Sequence, residues 1–181
     1  MNRFFVFFAL FAAVSLVSAA AQSTPAAELS FSFTRQKGMS SNQFAVWVEN
    51  SQGNLVKTLY ATRYTANGGW KKRENSIPLW VKQSGLAGMT KTQIDSITGA
   101  TPKTGTLVYR WDGTDSKNAA LPSGDYVICL EATLRGDNQV RYRAPIRLGQ
   151  GQASPAVNVE YIGRPGAEQG MINAVAAKTL R

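Results

Sequence analysis

Short runs in which every second residue is apolar, each closed by turn-forming residues, recur along this chain and leave it few folds to choose from. Residues 28–34 place Leu29, Phe31 and Phe33 on one side, and residues 43–49 repeat the pattern with Phe44, Val46 and Val48. Residues 54–65 read as a third strand, joined to the second by the hairpin loop Asn50-Ser51-Gln52-Gly53-Asn54. Residues 106–111, 124–134, 139–148 and 157–162 extend the series, with Arg135-Gly136-Asp137-Asn138 as a second hairpin turn. A strand sends alternate side chains to opposite faces, so each run buries one face. The pattern predicts an all-β fold, an antiparallel sandwich of the immunoglobulin-like kind.

Residues 70–105 break the rhythm. Lys, Gly, Ser and Thr are mixed there with isolated Trp and Leu, so the segment reads as a long irregular insertion with a short helix over residues 86–94. Trp70 and Trp80 argue that it is ordered. Beyond Pro165, residues 166–181 have fair helix propensity and a weak apolar pattern, which predicts a C-terminal tail or short helix. The sandwich domain is therefore expected over residues 22–165.

Ahead of it, Met1-Asn2-Arg3 carries one positive charge, and residues 4–17 are apolar apart from Ser15. That run is short for a membrane span, and Ser18-Ala19-Ala20-Ala21-Gln22 offers the small residues that signal peptidase reads. Residues 1–21 are expected to be a cleavable signal peptide, which makes the mature protein periplasmic with no span of its own. No Cys stands at the junction to take a lipid.

Export sharpens the meaning of the single Cys, Cys129, and of the absence of His. One thiol cannot close an intramolecular disulfide, so the fold must be held by its apolar core. Cys129 sits in the run Tyr126-Val127-Ile128-Cys129-Leu130, the setting of a buried, inert thiol. Without His there is no Ser-His-Asp or Cys-His nucleophile, no His-ligated haem and no ordinary zinc site. No catalytic constellation and no metal-ligand set is visible, and electron transfer would need an organic cofactor. The formal net charge is +9, to which the leader contributes only Arg3. No basic helix, zinc-finger spacing or aromatic RNA-binding motif accompanies it, so nucleic acid is not the expected partner. The charge reads as a solvated basic surface, or as one that steers docking to an acidic partner.

The stretch Trp111-Asp112-Gly113-Thr114-Asp115, with Leu121-Pro122-Ser123-Gly124-Asp125-Tyr126 after it, resembles a hairpin of immunoglobulin-like domains of the flagellar hook-capping type. Asp112, Asp115 and Asn118 suggest calcium, but the loop lacks the full ligand spacing and the terminal Glu, so turn chemistry explains them better.

Inside the insertion lies Asp95-Ser96-Ile97-Thr98-Gly99-Ala100-Thr101. It resembles the flavinylation motif of FMN-binding domains in sodium-pumping quinone reductases and Rnf-type complexes: Asp, two variable residues, Ser or Thr, a small residue, then Ala-Thr. The resemblance implies that Thr101 accepts FMN through a phosphoester bond, placed by an exported, magnesium-dependent flavin transferase with FAD as donor. A threonine hydroxyl is a weak nucleophile, so the acceptor must be presented on an exposed loop. Gly99 and Ala100 keep the approach clear, Asp95 orients the loop or completes the transferase site, and Thr98 bonds across the turn. Lys91 and Lys103 are near enough in sequence to compensate the phosphate charge. Trp70 and Trp80 either cover the isoalloxazine ring or pack beneath a long loop. The other reading of the motif is an ordinary polar loop on an unmodified immunoglobulin-like interaction module.

Across most of the chain the better resemblance is to the predicted periplasmic family called domain of unknown function 2271. It is carried by Phe44-Ala45-Val46-Trp47-Val48-Glu49, Trp70-Lys71-Lys72-Arg73 with Leu79-Trp80, residues 95–102, and Arg110-Trp111-Asp112-Gly113. That family resembles proteins encoded beside flavin transferases and PepSY-type membrane reductases, which implies an electron carrier serving such a reductase.

Overall fold

The computed structural model describes residues 25–37, 41–134, 137–164 and 170–181. The expected leader, residues 1–21, lies outside them, as do Arg135 and Gly136 of the second hairpin turn. Strands β1 (Ala27–Phe33), β5 (Gly105–Trp111) and β9 (Ile172–Thr179) form an antiparallel sheet with β1 in the middle. A larger sheet runs in the order β3 (Leu55–Thr62), β2 (Gln43–Asn50), β6 (Gly124–Thr133), β7 (Gln139–Leu148) and β8 (Asn158–Ile162). The two-residue β4 (Thr98–Gly99) pairs parallel to the outer side of β3. Two sheets packed face to face make the all-β sandwich that the alternation predicts.

The main core lies between the sheets. Leu29, Phe31 and Phe33 of β1 meet Phe44, Val46 and Val48 of β2, and every one of them is buried. Phe31 and Phe44 pack edge to face, with centroids 5.6 Å apart. Burying each such side chain is worth about 1.5–3 kcal/mol, which is how a fold without a disulfide holds together.

Alternation alone would leave the other face of β2 wet. It is not: Ala45, Trp47 and Glu49 are buried as completely as their neighbours. The insertion covers them. It folds as a π-type turn (Thr65–Gly69), α1 (Trp70–Lys72), α2 (Pro78–Ser84), a 3-10 turn (Leu86–Gly88) and α3 (Lys91–Ile97). Ala66, Ile77, Trp80 and Leu86 from this layer close a second core over Ala45, Trp47, Ala61 and Cys129. The insertion is thus a compact helical layer, not an irregular loop. The short helix expected over residues 86–94 is also displaced. Thr90 caps α3 by accepting from the Gln93 amide, while the Gln93 side chain accepts from the Thr90 amide, so the helix begins after Thr90 and runs on to Ile97.

One buried carboxylate rivets the helical layer to the sheet, and a second pairs within the sheet. Glu131 of β6, wholly buried, accepts from the Leu79 and Trp80 amides at 3.2 and 2.9 Å and pairs with Arg141 at 3.0 Å. Burial pushes its carboxyl above the ordinary value despite these bonds. Glu49 accepts from Trp47 Nε1 at 2.8 Å and from Arg143 at 2.6 Å. Burial pushes Glu49 up as well, but there the Arg143 and Trp47 bonds outweigh it and leave the carboxyl below its usual range. Cys129 lies beneath the same layer, and burial raises its thiol far from reactivity.

Two further expectations are corrected. The C-terminal segment is neither tail nor helix, because Ile172–Thr179 is the strand β9, paired with β1 from Phe33↔Ile172 to Ala27↔Thr179. The register shifts between Ser30 and Ser32, and Ala174 takes a positive φ of 50°. That irregularity breaks the period of two, so the strand is disguised in sequence. Likewise, residues 111–124 are not a hairpin between paired strands, since β5 and β6 lie in different sheets. The link closes on itself through a single Thr114↔Ala120 bridge. Within it, Lys57 Nζ approaches Asp112 at 3.1 Å, Asn118 Oδ1 at 3.3 Å and the Thr114 hydroxyl. An internal ammonium thus holds the place where a cation would sit.

Candidate functional site

The Asp95–Thr101 sequence is split across three structural settings. Asp95 lies in the last turn of α3 and pairs with Lys91 at 3.0 Å, one helical turn back, with both side chains well exposed. Thr98 and Gly99 form β4, opposite Ala61 and Thr62. Thr98 Oγ1 is buried and has no hydrogen-bond partner among the described residues, so it does not bond across the turn as expected. Ala100 and Thr101 then leave the strand.

Tyr60 of β3 fixes this exit. A Cβ on Gly99 would stand 2.6 Å from Tyr60 Cε2, so the absence of a side chain lets the ring lie against the strand. The Tyr60 hydroxyl donates to the Ala100 carbonyl at 2.8 Å. Phe44 and Tyr109 hold the ring in turn, each with its centroid 5.1 Å away. Burial pushes the phenol up to about 12, which keeps it protonated as a donor.

Thr101, half-buried and outside any strand, stands on the wall of a cleft of about 870 Å³. Arg35, Lys37, Arg73, Tyr64 and Thr104 share that wall. No Asp or Glu is among the described residues that line it, so the cleft is a concentration of positive charge. Its segments are anchored individually. The Arg35 amide donates to Thr104 Oγ1 at 3.0 Å, and Asn42 clasps Gln36 twice, accepting from its amide at 2.7 Å and donating to its carbonyl at 2.8 Å. Gln43 Oε1 accepts from the Thr62 and Thr65 hydroxyls at 2.6 and 3.0 Å, and Thr65 and Ser76 share a hydrogen bond of 2.6 Å. A buried polar network thus lies beneath the cationic rim.

Of the residues singled out in the sequence, Thr101 alone lines this cleft. Lys91 is engaged with Asp95, and Lys103 is exposed outside the lining. Trp80 is fully buried and donates to Thr58 Oγ1 at 3.1 Å, so of the two roles expected for it the structure shows packing and not cover for a flavin. Trp70 packs half-buried against the outer core with Lys71 Nζ 5.4 Å from its ring centroid. The residues that sequence reasoning missed are Arg35, Lys37, Tyr64, Arg73 and Thr104. Their signal was faint: Arg35 and Lys37 follow the first strand, and Arg73 ends a basic run.

A family model described as "Predicted periplasmic protein (DUF2271)" matches residues 26–163, well over half the chain. The chain belongs to the DUF2271 family. The match takes in β1 to β8, the helical layer and Thr101, and it stops before β9. The DUF2271 description places the protein in the periplasm. No helix among the described residues is long and apolar enough to cross a membrane. Neither the curated proteins nor the solved structures return a match.

Proposed function

We propose that this DUF2271 protein is a periplasmic flavin carrier. FMN is esterified to Thr101 by an exported flavin transferase, and the loaded protein passes electrons from a PepSY-type membrane reductase to an extracytoplasmic acceptor. The observation that carries this reading is the placement of Thr101: half-exposed, off the strand, and on the wall of a cleft lined by Arg35, Lys37 and Arg73. An acceptor threonine must be reachable by a second enzyme, and a phosphoester retains a negative charge that cations stabilise.

The residues present fit the group. Three cations stand on the wall that Thr101 shares, and Ser41, also on that wall, has a buried hydroxyl without a hydrogen-bond partner among the described residues. Attachment balances as a transfer: Thr101 Oγ bonds to the FMN phosphorus of FAD, the pyrophosphate bond breaks, AMP leaves, and the hydroxyl proton passes to the transferase. When bound, the flavin supplies the redox chemistry. The chain's own part is to fix the acceptor through Tyr60 and Gly99, and to hold the phosphate charge.

The test is intact mass after export together with a flavin transferase. The expected result is a gain of one FMN less one water, with flavin fluorescence in the denatured band, both lost in Thr101→Ala. Wild-type protein of unmodified mass would leave the unmodified sandwich module as the better reading.

A further inference from the structure

We infer that the cleft is itself a phosphate-binding site, in which Arg35, Lys37 and Arg73 hold a phosphoryl group and Tyr64 offers a platform for an attached aromatic ring. The identity of the ligand as a flavin nucleotide rests on the reading of Thr101; the phosphate site does not.

Three arguments meet here. The first is charge: three cationic side chains from two distant segments converge on a concavity with no lining carboxylate among the described residues. Such a concavity carries a positive potential that favours an anion. The second is construction. The 34–37 segment is held from several sides, by the Thr34 amide to the Met171 carbonyl at 2.9 Å, by the Arg35 amide to Thr104, and by the Asn42 clasp on Gln36. Asn42 makes that clasp at a positive φ of 52°, a region that asparagine enters more readily than most residues. The third is the orphaned Ser41 hydroxyl. A buried hydroxyl without a partner is unfavourable, and a rotation of the side chain toward the cleft would let a phosphate oxygen satisfy it. Tyr64, 53% exposed on the same wall, supplies an aromatic face that solvent does not reward.

The site therefore selects ligands that couple a phosphate to a planar ring, and it discriminates through the phosphate. The full-length Thr101→Ala protein, which cannot form the ester, is titrated with FMN and with riboflavin by fluorescence quenching. FMN is expected to bind saturably and about tenfold or more tighter than riboflavin, since a single charge-assisted hydrogen bond is worth about that factor. The preference should fall with added salt and with inorganic phosphate as competitor. Adding Arg35→Ala with Lys37→Ala should weaken FMN about tenfold and leave riboflavin unchanged. These two side chains are exposed, so the variant keeps its thermal midpoint; Arg73→Ala is the second probe. Equal binding of FMN and riboflavin, or FMN affinity unmoved by both sets of variants, overturns the site. Unmodified wild-type mass beside a strong FMN preference would sink the carrier reading and leave the phosphate site standing. Complete flavinylation without a phosphate preference would do the reverse.

Discussion

At the scale of single residues, the motif divides into parts that act through the backbone and one that offers chemistry. Gly99 is required by Tyr60, whose ring occupies the space of a β-carbon. The ring has little freedom to retreat, being packed against Phe44 and Tyr109 and hydrogen-bonded to Ala100. Gly99→Ala should therefore lower stability by about 1–3 kcal/mol, the usual cost of overpacking. Tyr60→Ala leaves a gap and destabilises on its own, but the double variant should recover part of the sum, since the clash has gone. Chemical denaturation of the four proteins gives the coupling energy. Strict additivity would mean that Gly99 is not held by the ring. Lys57 teaches the complementary lesson: Asp112 and Asn118 look like cation ligands in sequence because they are, and the cation is the lysine of β3. Burial pushes the Asp112 carboxyl up, but the Thr114 and Lys57 bonds outweigh it and hold the group below its ordinary value.

At the scale of elements, the helical layer is attached to the sheet by polar rivets as much as by its apolar face. Glu131 receives the first-turn amides of α2, which spans only seven residues and would be marginal alone. Glu131→Ala removes that anchor and leaves the two amides without their acceptor, while Arg141 keeps Glu160 at 3.8 Å, a loss of about 1–3 kcal/mol. Amide exchange at Leu79 and Trp80 should accelerate more than exchange in β2, and the Trp80 emission should shift to the red. Exchange that rises equally everywhere would show that Glu131 supports the whole fold and not this helix. What was legible in the sequence follows the same division. The β1 to β3 and β5 to β8 runs were readable because alternation and turn residues are local signals. The outer core was not, because Trp47 and Glu49 are covered by a layer that begins only at Thr65, beyond the next strand. Thr101 was readable as part of a contiguous motif. Its cleft was not, since Arg35, Arg73 and Thr101 come together only when three separate segments fold.

For the whole molecule, the smaller sheet depends on its last strand. β9 buries Ile172, Ala177 and Thr179, and Met171 just before it is 2% exposed. It also touches the site, because the Met171 carbonyl holds the Thr34 amide at the entry to the segment that carries Arg35 and Lys37. Tyr142 of β7 donates to the Ile172 carbonyl at 3.4 Å, so the strand tethers both sheets. A chain ending at Arg164, close to the limit of the family match, would strip one edge from β1 and open the main core. Losing a few buried apolar side chains at about 1.5–3 kcal/mol each approaches the entire stability of about 5–15 kcal/mol that a domain of this size commands. The truncated protein is therefore expected to show no cooperative thermal transition and to aggregate through the bared edge of β1, whereas the chain ending at Arg181 melts cooperatively. A soluble truncated protein that unfolds cooperatively and retains the FMN preference would show that the sandwich closes without β9, and that the cleft is organised by the Asn42 clasp and Thr104 alone.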